Sequence, residues 1–179
     1  MKKEKRSNVR YKMQNIIQFE KVSKVQFEKD ARKYGFIINM DTYQEIQLPK
    51  RATKGSAGYD FYMPAKCIIK PGQTITIPTG IRCQMNDDIV LQIYPRSSLG
   101  FKYQLQLDNT VGIIDSDYYH SDNEGHIIIK MTNHSLEQKE LTLNKGDAFS
   151  QGLFLKYYLT VDDDTKTTRN GGFGSTNQK

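Results

Sequence analysis

From residue 67 onward, apolar and β-branched residues come in short runs that alternate with polar positions and are closed by turn residues. Cys67-Ile68-Ile69 is stopped by Lys70-Pro71-Gly72, and Thr74-Ile75-Thr76-Ile77 is stopped by Pro78-Thr79-Gly80. Residues 81–85, 89–94, 126–131, 140–143 and 149–158 continue the series. A period of two places alternate side chains on one face of a strand, and many short strands between turn signals predict an antiparallel sandwich, jelly roll or barrel. No longer repeat is present, which excludes a solenoid.

The pattern differs at both ends. Residues 15–22 predict a first strand. In Lys24–Tyr34, Val25, Phe27, Ala31 and Tyr34 fall at helical spacing behind Ser23, a suitable N-cap, so a short helix is predicted there. Residues 1–12 are polar and charged and read as a disordered basic tail. Past Val161, an Asp162-Asp163-Asp164 run and a Thr/Lys stretch lead into a glycine-rich end with too little apolar content to pack as core. The chain therefore divides into a tail at 1–12, one all-β domain at 13–160 carrying a single short N-terminal helix, and a mobile arm at 161–179.

Composition changes this picture little. The 179 residues suffice for one domain with a core, and no apolar run approaches the length of a membrane span. The charged start is not followed by an apolar stretch, so no secretory signal is expected and a cytoplasmic location is. Net charge is +6, with five Lys or Arg among the first ten residues. The remainder is nearly balanced, so the basic start reads as a solvated tail and neither nucleic acid nor a membrane is expected as a partner. Cys67 and Cys83 lie in apolar segments without a C-x-x-C pair and read as reduced, buried small hydrophobes.

Five segments carry residue types suited to chemistry on a nucleotide. Ala57-Gly58-Tyr59-Asp60 pairs a turn glycine with an aspartate opening a strand. Pro95-Arg96-Ser97-Ser98-Leu99-Gly100 offers a guanidinium fork, two hydroxyls and backbone amides to a phosphate, with a helix N-terminus if Ser98 opens a helix. In residues 107–118, Asn109, Gly112, Ile114, Asp115 and Tyr118 combine a strand pair, a glycine whose backbone a flat base can approach, a carboxylate able to deprotonate water, and a ring for a sugar face. Gln151 is a polar residue in an apolar strand and needs partners, which phosphate oxygens or backbone would supply. Arg169, Phe173, Ser175 and Thr176 set a fork, an aromatic ring and two hydroxyls in a glycine-rich strip. His120, His126 and His134 lack ligand spacing and read as ordinary surface or strand histidines.

In this order, the five segments resemble the five motifs of the trimeric dUTPase family. The stretches L-D-N-T-V-G-I-I-D-S-D-Y and G-G-F-G-S-T are the most specific. The resemblance implies a jelly roll assembled as a homotrimer with shared active sites, each closed by a C-terminal arm. It implies dUTP as substrate, hydrolysed to dUMP and pyrophosphate with Mg²⁺ held by the triphosphate and waters, with no protein metal ligand. Asp115 would activate water and Asp60 would lie near the metal–water network. Arg96, Ser97, Ser98, Gln151, Arg169, Ser175 and Thr176 would contact phosphates. Asn109, Gly112 and Ile114 would form the uracil hairpin, Tyr118 would pack on deoxyribose, and Phe173 would stack over uracil.

The chain departs from the family pattern in four places. Ala148 stands where motif four has arginine, and Arg169 lies two residues before the glycine pair rather than three. Residues 119–124 lengthen motif three and read as an exposed, mobile hairpin tip. The segment through about residue 40 exceeds a minimal member. Three alternatives remain open at this point: a dCTP deaminase on the same fold, which needs a glutamate where this chain has Asp115; a non-catalytic regulator; and a nucleic-acid binder resting on the basic start.

Overall fold

A computed structural model describes residues 17–167. Its strands are short and all paired antiparallel. Strand β1 (Ile17–Lys21) pairs with β6 (Ile81–Met85). A second sheet orders β5 (Thr74–Pro78), β10 (Ile128–Asn133) and β8 (Leu105–Leu107). β4 (Cys67–Ile69) pairs with β11 (Leu141–Leu143). The largest sheet runs β2 (Lys50–Arg51), β3 (Tyr59–Tyr62), β12 (Ala148–Lys156), β7 (Ile89–Pro95) and β9 (Gly112–Ile114). The result is the predicted all-β, jelly-roll-like architecture. One core joins Phe61, Ile69, Ile77, Ile81, Cys83, Leu91, Ile93, Leu105, Met131 and Phe149 from all of these sheets. The alternation read from the sequence is visible in β6 and β7, whose residues are buried at every second position.

Three α-helices are present among the described residues, where the apolar pattern predicted one. The predicted helix is α1 (Lys24–Lys33), and Ser23 caps it by accepting from the Gln26 amide. Phe27 and Ala31 are its fully buried face. The other two, α2 (Thr42–Glu45) and α3 (Ser97–Tyr103), are too short for a hydrophobic period to register. β1 also reaches the main sheet, because Phe19 packs its ring against Tyr59, Phe61 and Phe154. Both cysteines are free thiols, and burial pushes their pKa values up to about 11 for Cys67 and about 12 for Cys83. No helix among the described residues is long and apolar enough to cross a membrane.

The expectation of an exposed, mobile tip at 119–124 is overturned. The chain after Asp115 turns through a 3₁₀ helix, Ser116–His120, and then packs against the N-terminal elements. Ser121 is buried. Both Glu124 carboxylate oxygens accept from Ser23, one from its amide and one from its hydroxyl, each at 2.7 Å. The Tyr119 hydroxyl donates to Glu20 at 2.7 Å and accepts from Arg82 at 2.6 Å. These bonds hold the Glu20 carboxyl below the usual range, Tyr119 contributing most and Arg82 next. Charged side chains on two separate segments thus fasten the insertion to β1 and α1.

His126 is corrected with it, for it is fully buried rather than a surface or ordinary strand histidine. Its Nδ1 lies 2.6 Å from Asp30 on α1, and its Nε2 accepts from the Gly80 amide at 2.8 Å. Burial pushes the Asp30 carboxyl up, but hydrogen bonds from His126 and Gln26 outweigh it and leave the group below its ordinary value. A buried carboxylate survives because it is paired on both sides.

Candidate functional site

Three of the five segments meet at one end of the main sheet. The register places Asp60 of β3 opposite Gln151 of β12, and Gln151 opposite Tyr94 of β7. Arg96 follows β7 immediately, and its Nε lies 3.3 Å from an Asp60 carboxylate oxygen. That contact orients the arginine while leaving its terminal fork for an anion. Arg96 is also the N-cap of α3, so the helix opens at Ser97, one residue before the predicted start. Ser97 and Ser98 are exposed in its first turn, where helix amides lack intrahelical partners. Arg96, Ser97 and Ser98 therefore present cationic and neutral donors from one corner.

Gln151 takes the backbone alternative. Its amide donates to the Pro95 carbonyl at 3.3 Å. Its Oε1 occupies the space beside Gly58, where a Cβ would come within 2.6 Å. Gly58 is thus required by Gln151 as much as by its turn. Ala148 lies opposite Tyr62, beside a bulge in β12, so the missing arginine would have stood at the edge of this corner.

The central segment lies elsewhere. Asn109 is exposed in the turn after β8, while Gly112 and Ile114 are buried in β9. Together they line a cleft of about 300 Å³ whose far wall is Ile127, Ile128 and Ile129. Its mostly apolar walls and few polar groups suit a small flat ring. A Cβ on Gly112 would also lie only 3.1 Å from the Ile93 Cβ, so strand packing adds a second reason for a glycine there.

Asp115 leaves the end of β9 into a larger recess of about 690 Å³ shared with Asp87, Gln92, Asp117 and Tyr157. The Tyr157 hydroxyl donates to the Asp87 carbonyl. Its pKa is raised by burial first, then by the negative charges of Asp115 and Asp87. Asp87, Gln92 and Tyr157 carried no local sequence signal, since only the fold brings them beside Asp115. Tyr118 is buried, with 4% of its surface exposed. Its hydroxyl donates to the His126 carbonyl at 2.8 Å and accepts from the Asn123 amide at 2.8 Å. The ring is therefore packed into the core.

The two clusters do not meet within one chain. β9 pairs with β7 through Leu91–Ile114 and Ile93–Gly112, which sets Asp115 level with Val90. Arg96 is six residues further along β7, a separation of roughly 20 Å at strand rise. Arg96, Ser97 and Ser98 stand at one end of the strand and Asp87, Asp115 and Asp117 at the other. Arg169, Phe173, Ser175 and Thr176 lie outside the described residues.

The chain matches the family model described as dUTPase over residues 44–177. It is 42% identical over 134 residues to a deoxyuridine 5'-triphosphate nucleotidohydrolase of Lactococcus lactis, covering 73% of this chain and 88% of that one. It is 36% identical over 145 residues to the protein of that name from Janthinobacterium, covering 76% and 93%. The crystal structure of dUTPase from Streptococcus mutans superposes with a TM-score of 0.60 at 32% identity, covering 79% of this chain and 97% of that one. A dUTPase from phage phi11 of S. aureus, described as coordinating a structural Mg(II) ion, shares the fold at 17% identity and a TM-score of 0.61, covering 86% and 98%. By the length of the family match and these identities, the chain belongs to the dUTPase family.

Proposed function

We propose that the protein hydrolyses dUTP to dUMP and pyrophosphate in sites shared between copies of the chain. The observation that carries the reading is the separation of Asp115 from the Arg96–Asp60–Gln151 corner along β7. A triphosphate cannot sit against Asp87, Asp115 and Asp117 without cationic neighbours, and the donors that would supply them are at the far end of the same strand. A cyclic homotrimer, the assembly implied by the family resemblance, would bring the phosphate corner of one subunit to the Asp115 recess of the next.

In this reading uracil enters the cleft beside Asn109, Gly112 and Ile114, and the sugar lies against Tyr118. Arg96, Ser97 and Ser98 bind the phosphates, and Gln151 braces their corner. Asp115 accepts a proton from water as the water oxygen attacks the α-phosphorus. The bond to the bridging oxygen breaks, and pyrophosphate leaves with its electron pair. Positioning and charge neutralisation carry most of the rate. Phe173 would stack over the base and Arg169, Ser175 and Thr176 would close on the terminal phosphate, the arm completing the site.

The donor set suits a Mg²⁺ that arrives with its substrate. Asp60 is already paired to Arg96, and among the described residues no group of three or more His, Cys, Asp or Glu is arranged to hold a metal. Mg²⁺ retains waters and favours phosphate oxygens with one or two carboxylates. When bound it would neutralise charge on the triphosphate, and Asp60 is the nearest carboxylate to the phosphate corner. The phage relative described with a structural Mg(II) ion supports magnesium as the metal.

The test is pyrophosphate release with Mg²⁺ from dUTP, run beside dCTP, dTTP and UTP with ammonia measured in parallel. Release selective for dUTP is expected. Ammonia from dCTP would instead establish the deaminase alternative, and no release from a folded assembly would refute the catalytic reading.

A further inference from the structure

We propose that Asp30, on helix α1, is a positioning residue for Tyr118 and thereby for discrimination between 2'-deoxy and ribo substrates. The proposal rests on the reading that Tyr118 packs against the sugar. Tyr118, in the 3₁₀ helix, is not held by its own segment alone. Its hydroxyl donates to the backbone carbonyl of His126 at 2.8 Å. The Asn123 amide donates both to that hydroxyl, at 2.8 Å, and to the same carbonyl, at 3.2 Å. The position of the phenol therefore depends on where His126 sits.

His126 is located in turn by its side chain. Because the Gly80 amide donates to Nε2, the proton of the neutral ring is on Nδ1, which donates to Asp30 at 2.6 Å. Flipping the ring would set Cε1–H against the Gly80 amide and Cδ2–H against Asp30, so both bonds would be lost. The tautomer and the orientation are fixed together. Asp30 is held from its own helix by the Gln26 amide at 2.7 Å.

The turn between the two ends is tight. Gly125 has φ of +69°, and a Cβ there would lie 2.7 Å from the Tyr119 Cα and 2.9 Å from the Tyr118 carbonyl oxygen. Little slack remains between His126 and Tyr118 to absorb a movement at Asp30. Exclusion of a ribose hydroxyl is a matter of space, so a ring displaced by a fraction of an ångström admits it. The carboxylate of α1 thus acts at a distance on the sugar wall, through the histidine whose carbonyl anchors the phenol. No motif of the family contains either Asp30 or His126, and 96 residues separate them in sequence.

The experiment compares kcat/KM for dUTP and for UTP in the same preparations of full-length protein carrying Asp30→Ala, Asp30→Asn, Tyr118→Ala or Glu28→Gln. The dUTP-to-UTP ratio is independent of how much of each preparation is active, so a merely structural loss does not move it. The ratio is expected to fall about tenfold in Asp30→Ala, in keeping with the cost of small misplacements at reacting centres. It should fall less in Asp30→Asn, which keeps an acceptor for His126, and stay at the wild-type value in Glu28→Gln on the exposed side of the helix. Asp30→Asn is isosteric and carries the test alone if Asp30→Ala does not fold. An unchanged ratio in a folded Asp30 variant, with selectivity lost in Tyr118→Ala, overturns the proposal by itself. An unchanged ratio in Tyr118→Ala overturns it together with the sugar-packing role of that tyrosine.

Discussion

Separating the phosphate corner from Asp115 makes a quantitative prediction about mixed assemblies. Arg96→Ala removes the guanidinium that Asp60 orients at one end of β7, and Asp115→Asn removes the carboxylate at the other end. Each variant alone is expected to lose about 10²-fold or more of its turnover. With sites shared between neighbours in a closed ring, a site works when an Asp115→Asn subunit, with Arg96 intact, precedes an Arg96→Ala subunit, with Asp115 intact. Purification through both tags leaves only mixed trimers, each of which has that order at one of its three junctions, so about a third of wild-type activity should return. The assay is pyrophosphate release from co-expressed, differently tagged variants purified through both tags in succession. Mixed assemblies no more active than their parents would refute the shared site and require that the chain bring the two clusters together by itself, across roughly 20 Å of strand.

Other outcomes follow from the same structure. Asp115→Asn alone should lower kcat by about 10²- to 10⁴-fold while dUTP binding, measured by calorimetry, persists; lost binding with unchanged kcat would contradict its role as base. The Ser150 hydroxyl is buried and has no hydrogen-bond partner among the described residues, so Ser150→Ala should stabilise the protein by about 1 kcal/mol and raise Tm by about 2–4 °C. A lower Tm would show that the hydroxyl is satisfied. Glu20, Asp30 and Glu124 have lowered pKa values in the folded protein, Glu124 chiefly through the Ser23 amide. Their contribution is present above the ordinary carboxylate range and is lost as pH falls through the folded values. The urea midpoint should therefore drop between about pH 5 and about pH 3, and a flat midpoint there would refute the linkage.

Much of the fold was legible because local chemistry agreed with the final packing. Ser23 is an N-cap in sequence and in structure, and Ile81–Met85 alternates as its burial does. The insertion at 119–124 misled because polar residues at a hairpin tip resemble solvent-facing ones. Glu124 and Tyr119 are polar because they bind Ser23, Glu20 and Arg82, partners that no local window contains. His126 was hidden for the same reason, its partner being a carboxylate in another element. Among the site residues, types and order were readable, but the distance between Asp115 and Arg96 was not. It depends on the register of β9 against β7, and a shift of that pairing would alter it without changing a single residue type.

The family match begins at residue 44, yet Val22, Phe27, Ala31 and Phe36 belong to the core. The segment matched by the family model is thus shorter than the part this chain needs in order to fold. Each of these side chains except alanine contributes about 1.5–3 kcal/mol by leaving water, against a typical whole-domain margin of about 5–15 kcal/mol. A fragment cut at the homology boundary would expose that surface and strand His126 without Asp30. Expression of this protein for biophysical work should keep everything from β1 onward.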